Sequence, residues 1–147
     1  MDRRDFIVTG CKTGLGLCLF SLMGESCGSA AYYAQTTVGN EKLTVAKKEF
    51  QYMQKNEVRA ERSYVFVKPT GAEFPICLYK KGTDYSACLM KCTHRGCEVE
   101  VHGTRYVCPC HGSEFDMGGM VLEGPAERPL KTFKTTEDET NIYIWLV

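Results

Sequence analysis

The sequence has no excess of charge of either sign. Eighteen lysine and arginine residues balance eighteen aspartate and glutamate residues in a chain of 147 residues. Its overall charge therefore attracts neither nucleic acid nor a strongly charged substrate, and neither function class is indicated. The sequence also lacks internal repeats and low-complexity tracts. With 44% hydrophobic residues, it indicates one domain with a modest core.

A long apolar run is missing as well. The weakly hydrophobic run at residues 13–24 is shorter than the about 20 apolar residues that a membrane-spanning helix needs, and it fits the hydrophobic part of an export signal better. Residues 2–7 (DRRDFI) resemble a twin-arginine export signal, with Asp2 in place of the usual serine or threonine. That route exports proteins that have already folded in the cytoplasm. We therefore expect residues 1–30 to be an export signal or a membrane anchor.

Cys27 offers a second way to reach the membrane. It follows the apolar run where a lipoprotein carries its acylated cysteine, although Gly24 and Glu25 replace the usual leucine and small residue. An uncleaved N-terminal anchor is the alternative. Nine cysteines are many for a cytosolic protein and favour an oxidising compartment. We expect a bacterial cell-envelope protein, exported and membrane-attached on the periplasmic side.

Convincing helical patterns are absent, whereas short strand signals with turn punctuation are frequent, which indicates an all-β domain. The clearest strand signals are residues 64–67, 75–80, 84–90, 120–123, 130–134 and 141–147. Residues 42–45 alternate in a way that predicts an edge strand. A Gly–Thr turn at 82–83 predicts a hairpin that places Cys77 opposite Cys88, either as two buried free thiols or as an oxidised pair.

Two short segments, CTHRGC at 92–97 and CPCHGS at 108–113, hold the metal-binding residue types at close spacing. Each segment pairs a cysteine with a histidine. These four residues are Cys92, His94, Cys108 and His111. Two thiolates and two imidazoles bind either a tetrahedral zinc ion or a [2Fe–2S] cluster with the cysteines on one iron and the histidines on the other. The remaining histidine, His102, is expected to be a solvated turn residue.

The residues between the two segments predict a hairpin. Two strand-like stretches flank a His–Gly turn at 102–103, with glycine where a positive φ is required. This register places Cys97 opposite Cys108 and brings the two segments side by side. Cys110, two residues further along, then lies within reach of Cys97.

CTHRGC followed by CPCHGS resembles the Rieske iron–sulfur proteins, of the disulfide-bearing type found in cytochrome bc-type complexes. The resemblance covers roughly residues 60–147, and the paired segments are a highly specific signal. It implies one [2Fe–2S] cluster as cofactor and a disulfide between Cys97 and Cys110. The implied cluster ligands are Cys92, His94, Cys108 and His111.

Further positions match the same family. Ser113 matches a serine whose hydroxyl bonds a bridging sulfide, and residues 124–130 resemble the proline-rich loop that covers the cluster, with Glu127 where a proline is common. Phe115 stands where high-potential members have a tyrosine that donates a hydrogen bond to the first cysteine ligand, here Cys92. The missing donor predicts a lower potential and a low-potential quinol, such as menaquinol, as electron donor.

The resemblance also refines the fold. It implies stacked antiparallel sheets in one domain over residues 31–147, with a small cluster-binding subdomain at about 90–130. We expect the domain to follow directly on the N-terminal signal or anchor.

Three functions are compatible with these features. The first is a membrane-attached one-electron carrier, the iron–sulfur subunit of a quinol-oxidising, cytochrome bc-like complex. Its partners would be quinol, a cytochrome b-like membrane subunit and a c-type cytochrome acceptor, and it would be an oxidoreductase only within that complex.

The second function is that of a Rieske ferredoxin or an arsenite-oxidase-like small subunit. Phe115 favours this function, but ordinary Rieske ferredoxins lack a pair such as Cys97 and Cys110. The third is a structural zinc site, which gives no role to that pair or to Ser113. The first function accounts for most of these features.

Overall fold

The structure is a computed structural model that describes residues 31–39, 41–54 and 59–147. The predicted signal or anchor, together with Cys27, lies outside these residues. No helix in the described part is long and apolar enough to cross a membrane.

Thirteen short strands and one 3-10 helix, Lys47–Phe50, make up the regular structure of the described residues. The strands are β1 Thr36–Val38, β2 Lys42–Ala46, β3 Gln51–Met53, β4 Arg59–Glu61, β5 Tyr64–Val67, β6 Ile76–Lys81, β7 Asp84–Leu89, β8 Glu100–His102, β9 Arg105–Val107, β10 Glu114–Asp116, β11 Val121–Glu123, β12 Thr132–Glu137 and β13 Asn141–Trp145.

These strands form antiparallel sheets. A seven-stranded sheet has the order β1-β2-β13-β12-β7-β6-β5, and a four-stranded sheet has the order β11-β10-β9-β8. β3 and β4 form a separate two-stranded ribbon. The all-β, antiparallel fold predicted from the sequence is confirmed.

The four-stranded sheet is an excursion from the middle of the large one. β7 and β12 are neighbours in the large sheet, with Thr132 opposite Cys88, yet β8 to β11 lie between them in sequence. The chain therefore leaves the large sheet after β7, builds the small sheet and returns as β12. This excursion contains both cysteine–histidine segments.

One N-terminal segment forms one edge of the large sheet and covers the other. β1 pairs with β2 at one edge, while the residues just before β1 bond to β5 at the other through Ala34 N–H to the Phe66 carbonyl (2.8 Å) and Phe66 N–H to the Tyr32 carbonyl (2.9 Å). Covering exposed strand edges prevents pairing with other chains. The prediction of an edge strand at residues 42–45 was wrong, because β2 lies between β1 and β13.

The hairpin between β8 and β9 turns one residue later than predicted. His102 pairs with Arg105, so the turn is Gly103–Thr104 rather than His102–Gly103. Gly103 has φ +62°, as does Gly82 in the Gly–Thr turn between β6 and β7. In both hairpins glycine takes the first of the two turn positions, where a positive φ is required.

This shift changes which cysteines face each other. Val101 lies opposite Tyr106, and the same register continued toward the loops aligns Cys97 with Cys110 rather than with Cys108. The prediction that Cys97 faces Cys108 was therefore wrong. In the structure Cys97 is bonded to Cys110.

The hydrophobic core has two parts. One consists mainly of side chains from the large sheet and includes Leu43, Val65, Leu78 and Ile144. The other lies between the large and small sheets and includes Cys92 and Cys108 among its buried residues. This second part of the core therefore includes residues of both cysteine–histidine segments and packs against them.

Candidate metal centre

Three loops meet at one end of the small sheet, where its strands begin or finish. Loop 1 (92–97) precedes β8, loop 2 (108–113) joins β9 to β10, and loop 3 (124–130) follows β11. Because β8 to β11 form one antiparallel sheet, the start of β8 and the ends that flank the other two loops lie on the same side. The topology thus gathers residues that are more than 30 positions apart in sequence.

Loops 1 and 2 have the same backbone hydrogen bonds. In each, the N–H of a glycine bonds to the carbonyl of the cysteine four residues earlier: Gly96 to Cys92 and Gly112 to Cys108, both at 2.9 Å. Each cysteine N–H in turn bonds at 2.8 Å to the carbonyl of the last loop residue. Gly96 and Gly112 have φ of +80° and +78°, a conformation that side chains beyond glycine rarely adopt.

A disulfide joins these two loops. Cys97 in loop 1 is bonded to Cys110 in loop 2, with a Cα–Cα distance of 6.5 Å. The sulfur of Cys108 lies within 4.8 Å of both disulfide sulfurs. Because a disulfide offers no thiolate, this trio is not a three-cysteine metal site. The disulfide instead packs beside the Cys108 thiol.

The remaining thiols of the two loops are buried. Cys92 is 2% exposed and Cys108 is 1% exposed. The pKa of the Cys108 thiol is raised chiefly by burial; the backbone N–H of Cys110 opposes the rise and the neighbouring Cys92 thiol adds to it. A backbone N–H that approaches this sulfur would also bond to it as a metal ligand and tune the metal.

The two histidines of the loops lie together at the outer side of the site. Their ring centroids are 4.8 Å apart and the ring planes meet at 87°. His94 is half-buried and His111 is exposed. The Nδ1 atom of His94 is buried and has no hydrogen-bond partner among the described residues.

This orphaned nitrogen tests whether the site fits a metal. A buried polar atom without a partner costs free energy, and native structures rarely keep one without a reason. A bound metal would supply the missing partner of the His94 Nδ1 atom. The two buried thiols, once ionised, would be further ligands. The donor set of two cysteines and two histidines therefore fits either metal centre that the sequence allows, since zinc and a Rieske cluster use the same residue types.

Two hydroxyl groups tie loop 3 to the other loops. Thr93 in loop 1 donates its Oγ1 hydrogen to the Arg128 carbonyl at 2.5 Å. In loop 2, Ser113 is fully buried, and its Oγ accepts a hydrogen bond from the Ala126 N–H at 3.0 Å. Within the described residues no other hydrogen bond uses the Ser113 hydroxyl, so its hydrogen is free to point toward a sulfide. The sequence singled out Ser113 but missed Thr93, since only the position of Arg128 shows its role.

Phe115 is fully buried in the same part of the core as Cys92 and Cys108. Its cross-strand partner on β9 is Tyr106, which is also fully buried. The Tyr106 hydroxyl forms no hydrogen bond of normal geometry within the described chain. Burial, followed by the nearby thiols on β6 and β7, raises the pKa of Tyr106. Of these two aromatic side chains only Tyr106 has a hydroxyl. That hydroxyl lies beside two cysteines outside the loops, one on β6 and one on β7.

Those two cysteines, Cys77 and Cys88, are opposite each other on β6 and β7, as the Gly–Thr turn predicts. Both are fully buried free thiols. Burial raises the pKa of Cys77 to about 12 and that of Cys88 to about 11. Thiols with such pKa values stay protonated and unreactive at neutral pH. His102 is likewise outside the site: it is exposed, with Nε2 3.2 Å from Glu100.

Comparisons with known proteins agree with this geometry. The family model of the Rieske [2Fe-2S] domain matches residues 48–134. The cytochrome b6-f complex iron-sulfur subunit of Chlorobaculum thiosulfatiphilum is 34% identical over 74 residues, which cover 49% of this chain and 41% of that protein. The corresponding subunit of Synechococcus elongatus is 46% identical over 50 residues, which cover 33% of this chain and 28% of that protein. The chain thus spans less than half the length of these curated relatives.

A solved structure, the cyanobacterial plasma membrane Rieske protein PetC3 from Synechocystis PCC 6803, is 34% identical. The match covers 56% of this chain and 85% of that chain, with a TM-score of 0.49. The family match over residues 48–134 decides between the two metal centres that the donor set allows, in favour of the iron–sulfur cluster. The chain therefore belongs to the Rieske [2Fe-2S] domain family, and it is an electron carrier with a [2Fe–2S] cluster as its cofactor.

Proposed function

We propose that Cys92 and Cys108 bind one iron of the cluster and that His94 and His111 bind the other. The observation that carries this assignment is the layering of the two loops: both thiols are buried and both rings lie outside them, with the buried Nδ1 of His94 unpaired. Ser113 would donate its free hydroxyl hydrogen to a bridging sulfide.

We further propose that this electron carrier is the iron–sulfur subunit of a quinol-oxidising cytochrome complex. Neutral imidazoles in place of two thiolates raise the potential of a [2Fe–2S] centre into the range of about −150 to +300 mV, where quinols are donors. The exposed ring of His111 places one edge of the site where an external donor can reach it. Two curated relatives are named as cytochrome b6-f complex iron-sulfur subunits, which supports a cytochrome complex as partner.

The proposed complex would hold the chain at the periplasmic side of a bacterial membrane. The support is in the sequence: the twin-arginine-like residues 2–7, the apolar run 13–24, and Cys27 as a lipid-attachment site. A b-type membrane subunit and a c-type cytochrome acceptor would complete the electron path. A Rieske ferredoxin or an arsenite-oxidase-like small subunit is the second candidate, favoured by Phe115, whereas the Cys97–Cys110 disulfide favours the first.

The ligand assignment is tested by replacing cysteines one at a time. Protein matured with iron and reduced with dithionite should show the rhombic EPR signal of a Rieske centre, and Cys92→Ala or Cys108→Ala should abolish it. Cys77→Ala is the matched control, because it also removes a buried free thiol but lies on β6, outside the loops. A signal that survives Cys108→Ala, or a protein that holds stoichiometric zinc and no iron, would overturn the assignment.

The complex is tested in membranes of a host that expresses the full chain. We expect the protein to remain in the washed membrane fraction and its cluster to be reduced by a menaquinol analogue. Cys27→Ser separates the two modes of attachment: it releases a lipoprotein into the soluble fraction and leaves an uncleaved anchor in place. A cluster that forms normally but is never reduced by quinol would favour the ferredoxin-like alternative.

A further inference from the structure

A positively charged groove lies directly beside His94. Loop 1 lines it from one side, and residues in or just after loop 3 line it from the other. The charged residues of its lining are all cationic: Lys91, Arg95, Arg128 and Lys131. Because the whole chain carries no net charge, four cations without a carboxylate in one groove are a local asymmetry.

Neighbouring acidic groups compensate only part of this charge. The Lys91 ammonium lies 3.7 Å from the Glu73 carboxylate, an exposed pair of small energetic weight. Within the described residues, Arg95, Arg128 and Lys131 form no ion pair. Glu127 is the one carboxylate in the adjoining depression, which His94 and Arg128 also line. A net positive field therefore remains at this edge of the metal centre.

The cations are spread over the surface and do not converge on one point. The Lys91 ammonium lies over the ring of Phe74 at 4.9 Å, and the Lys131 ammonium lies over the ring of Phe133 at 5.0 Å. A small anion needs several donors directed at the same position. An extended surface with several carboxylates suits cations that are distributed in this way.

We propose that this groove docks an electron-transfer protein that presents carboxylates around its own redox centre. The inference rests on the proposed function, because it requires His94 to be a cluster ligand. The groove is also lined by Cys92, Thr93 and His94, so a partner seated there lies next to the cluster, at a short distance for electron transfer. The transfer moves one electron from the reduced cluster to the oxidised cofactor of the partner and breaks no covalent bond.

Charge reversal in the groove provides the test. The reduced full chain with its cluster is mixed in a stopped-flow instrument with an acidic and with a basic c-type cytochrome of similar potential. We expect the acidic cytochrome to be reduced faster, and Arg95→Glu with Arg128→Glu to slow that reaction at least about tenfold at low ionic strength. The difference should shrink in about 0.5 M salt, and the basic cytochrome should show the opposite change.

The control carries the same change in net charge at the far end of the large sheet. Lys48 and Lys81 are exposed and unpaired among the described residues, and they lie near the ends of β2 and β6 that face away from the loops. Lys48→Glu with Lys81→Glu should change the rate less than about twofold. Equal slowing by both double variants would show an effect of net charge alone and would overturn the proposal. Arg95→Gln with Arg128→Gln, which removes charge without adding any, should give an intermediate rate.

Two other occupants are separated by further measurements. If inorganic phosphate slows the cytochrome reaction far more than chloride at equal ionic strength, the groove is a small-anion site and the proposal fails. It also fails if vesicles of phosphatidylglycerol bind the wild type but not the reversed variant, while the cytochrome rates are unchanged. EPR of each variant separates failure of the docking proposal from failure of the proposed function. An intact cluster with charge-independent rates overturns only the docking proposal. Absence of a cluster from the wild type overturns the proposed function.

Discussion

Loops 1 and 2 have the same backbone hydrogen bonds but differ in their side chains. Both close through a cysteine carbonyl and a glycine N–H four residues later. In loop 1 the histidine is the third residue, and in loop 2 it is the fourth. His94 is consequently half-buried beside the cationic groove, while His111 is exposed. One backbone turn used twice thus creates two different imidazole environments.

The same offset separates the cysteines that form the disulfide. Loop 1 contributes its last residue, Cys97, whereas loop 2 contributes its third, Cys110. Loop 2 has Ser113 in its last position, where the hydroxyl is buried. The cysteine and the glycine therefore set the backbone conformation of each loop, and the residues at the remaining loop positions determine which side chains the loop presents.

Breaking the disulfide between loops 1 and 2 should have the largest effect on the stability of the protein. Cys97→Ser, Cys110→Ser and the double variant should each lower the free energy of unfolding by about 3 kcal/mol, as expected for a disulfide that closes a short loop. The three losses should be equal, because one broken bond removes the whole constraint. Guanidinium denaturation followed by circular dichroism gives the values. Losses that add up in the double variant would mean that the two thiols act independently.

The hydroxyl tethers should show the next largest difference between the loops. Ser113→Ala leaves the buried Ala126 N–H without an acceptor and should cost about 1–3 kcal/mol. Thr93→Val removes a more accessible bond to the Arg128 carbonyl and should cost about 0.5–1.5 kcal/mol. Urea denaturation of the two variants in parallel measures both losses. If Thr93→Val proves the more damaging, loop 3 depends on loop 1 rather than on loop 2.

Phe115, which follows loop 2 and packs in the same buried cluster as Cys92 of loop 1, should have a smaller effect. A hydroxyl at this ring would donate to the Cys92 sulfur and stabilise the reduced cluster, which carries more negative charge. A differential of roughly 1 kcal/mol between redox states corresponds to about 40 mV for one electron. Phe115→Tyr should therefore raise the midpoint potential by tens of millivolts in a redox titration. An unchanged potential with an intact cluster spectrum would show that the ring faces away from Cys92.

The smallest effect at neutral pH belongs to Cys77 and Cys88, the cysteines outside the loops. Their pKa values of about 12 and 11 in the folded protein exceed the ordinary value of 9.0. Their contribution to stability is complete below pH 9, and it is lost as the pH rises toward 11 and 12, because the unfolded thiols ionise first. The denaturation midpoint should fall with alkaline pH more steeply in the wild type than in Cys77→Ala with Cys88→Ala. Identical slopes would mean that these thiols are not protected by burial.

The two cysteine–histidine segments could be identified as a candidate metal site from the sequence alone. Two segments with cysteine, histidine and glycine at short spacing form their turns locally, since each loop closes within six residues. The strand pattern also sufficed for the all-β class, because alternation and turn residues act over a few positions. The register of the hairpin at Gly82 was predicted correctly. The turn of the hairpin at Gly103 was predicted one residue too early, because His–Gly and Gly–Thr are both acceptable two-residue turns.

Which distant residues meet depends on the tertiary structure. The partner of Thr93 is a carbonyl 35 residues away, and the cationic groove combines residues at 91 and 95 with residues at 128 and 131. Residues 31–38 gave no clear strand signal, yet they form one edge of the large sheet and cover the other. Local preferences cannot encode such contacts, because they depend on how the sheets pack and on where each loop leaves its sheet.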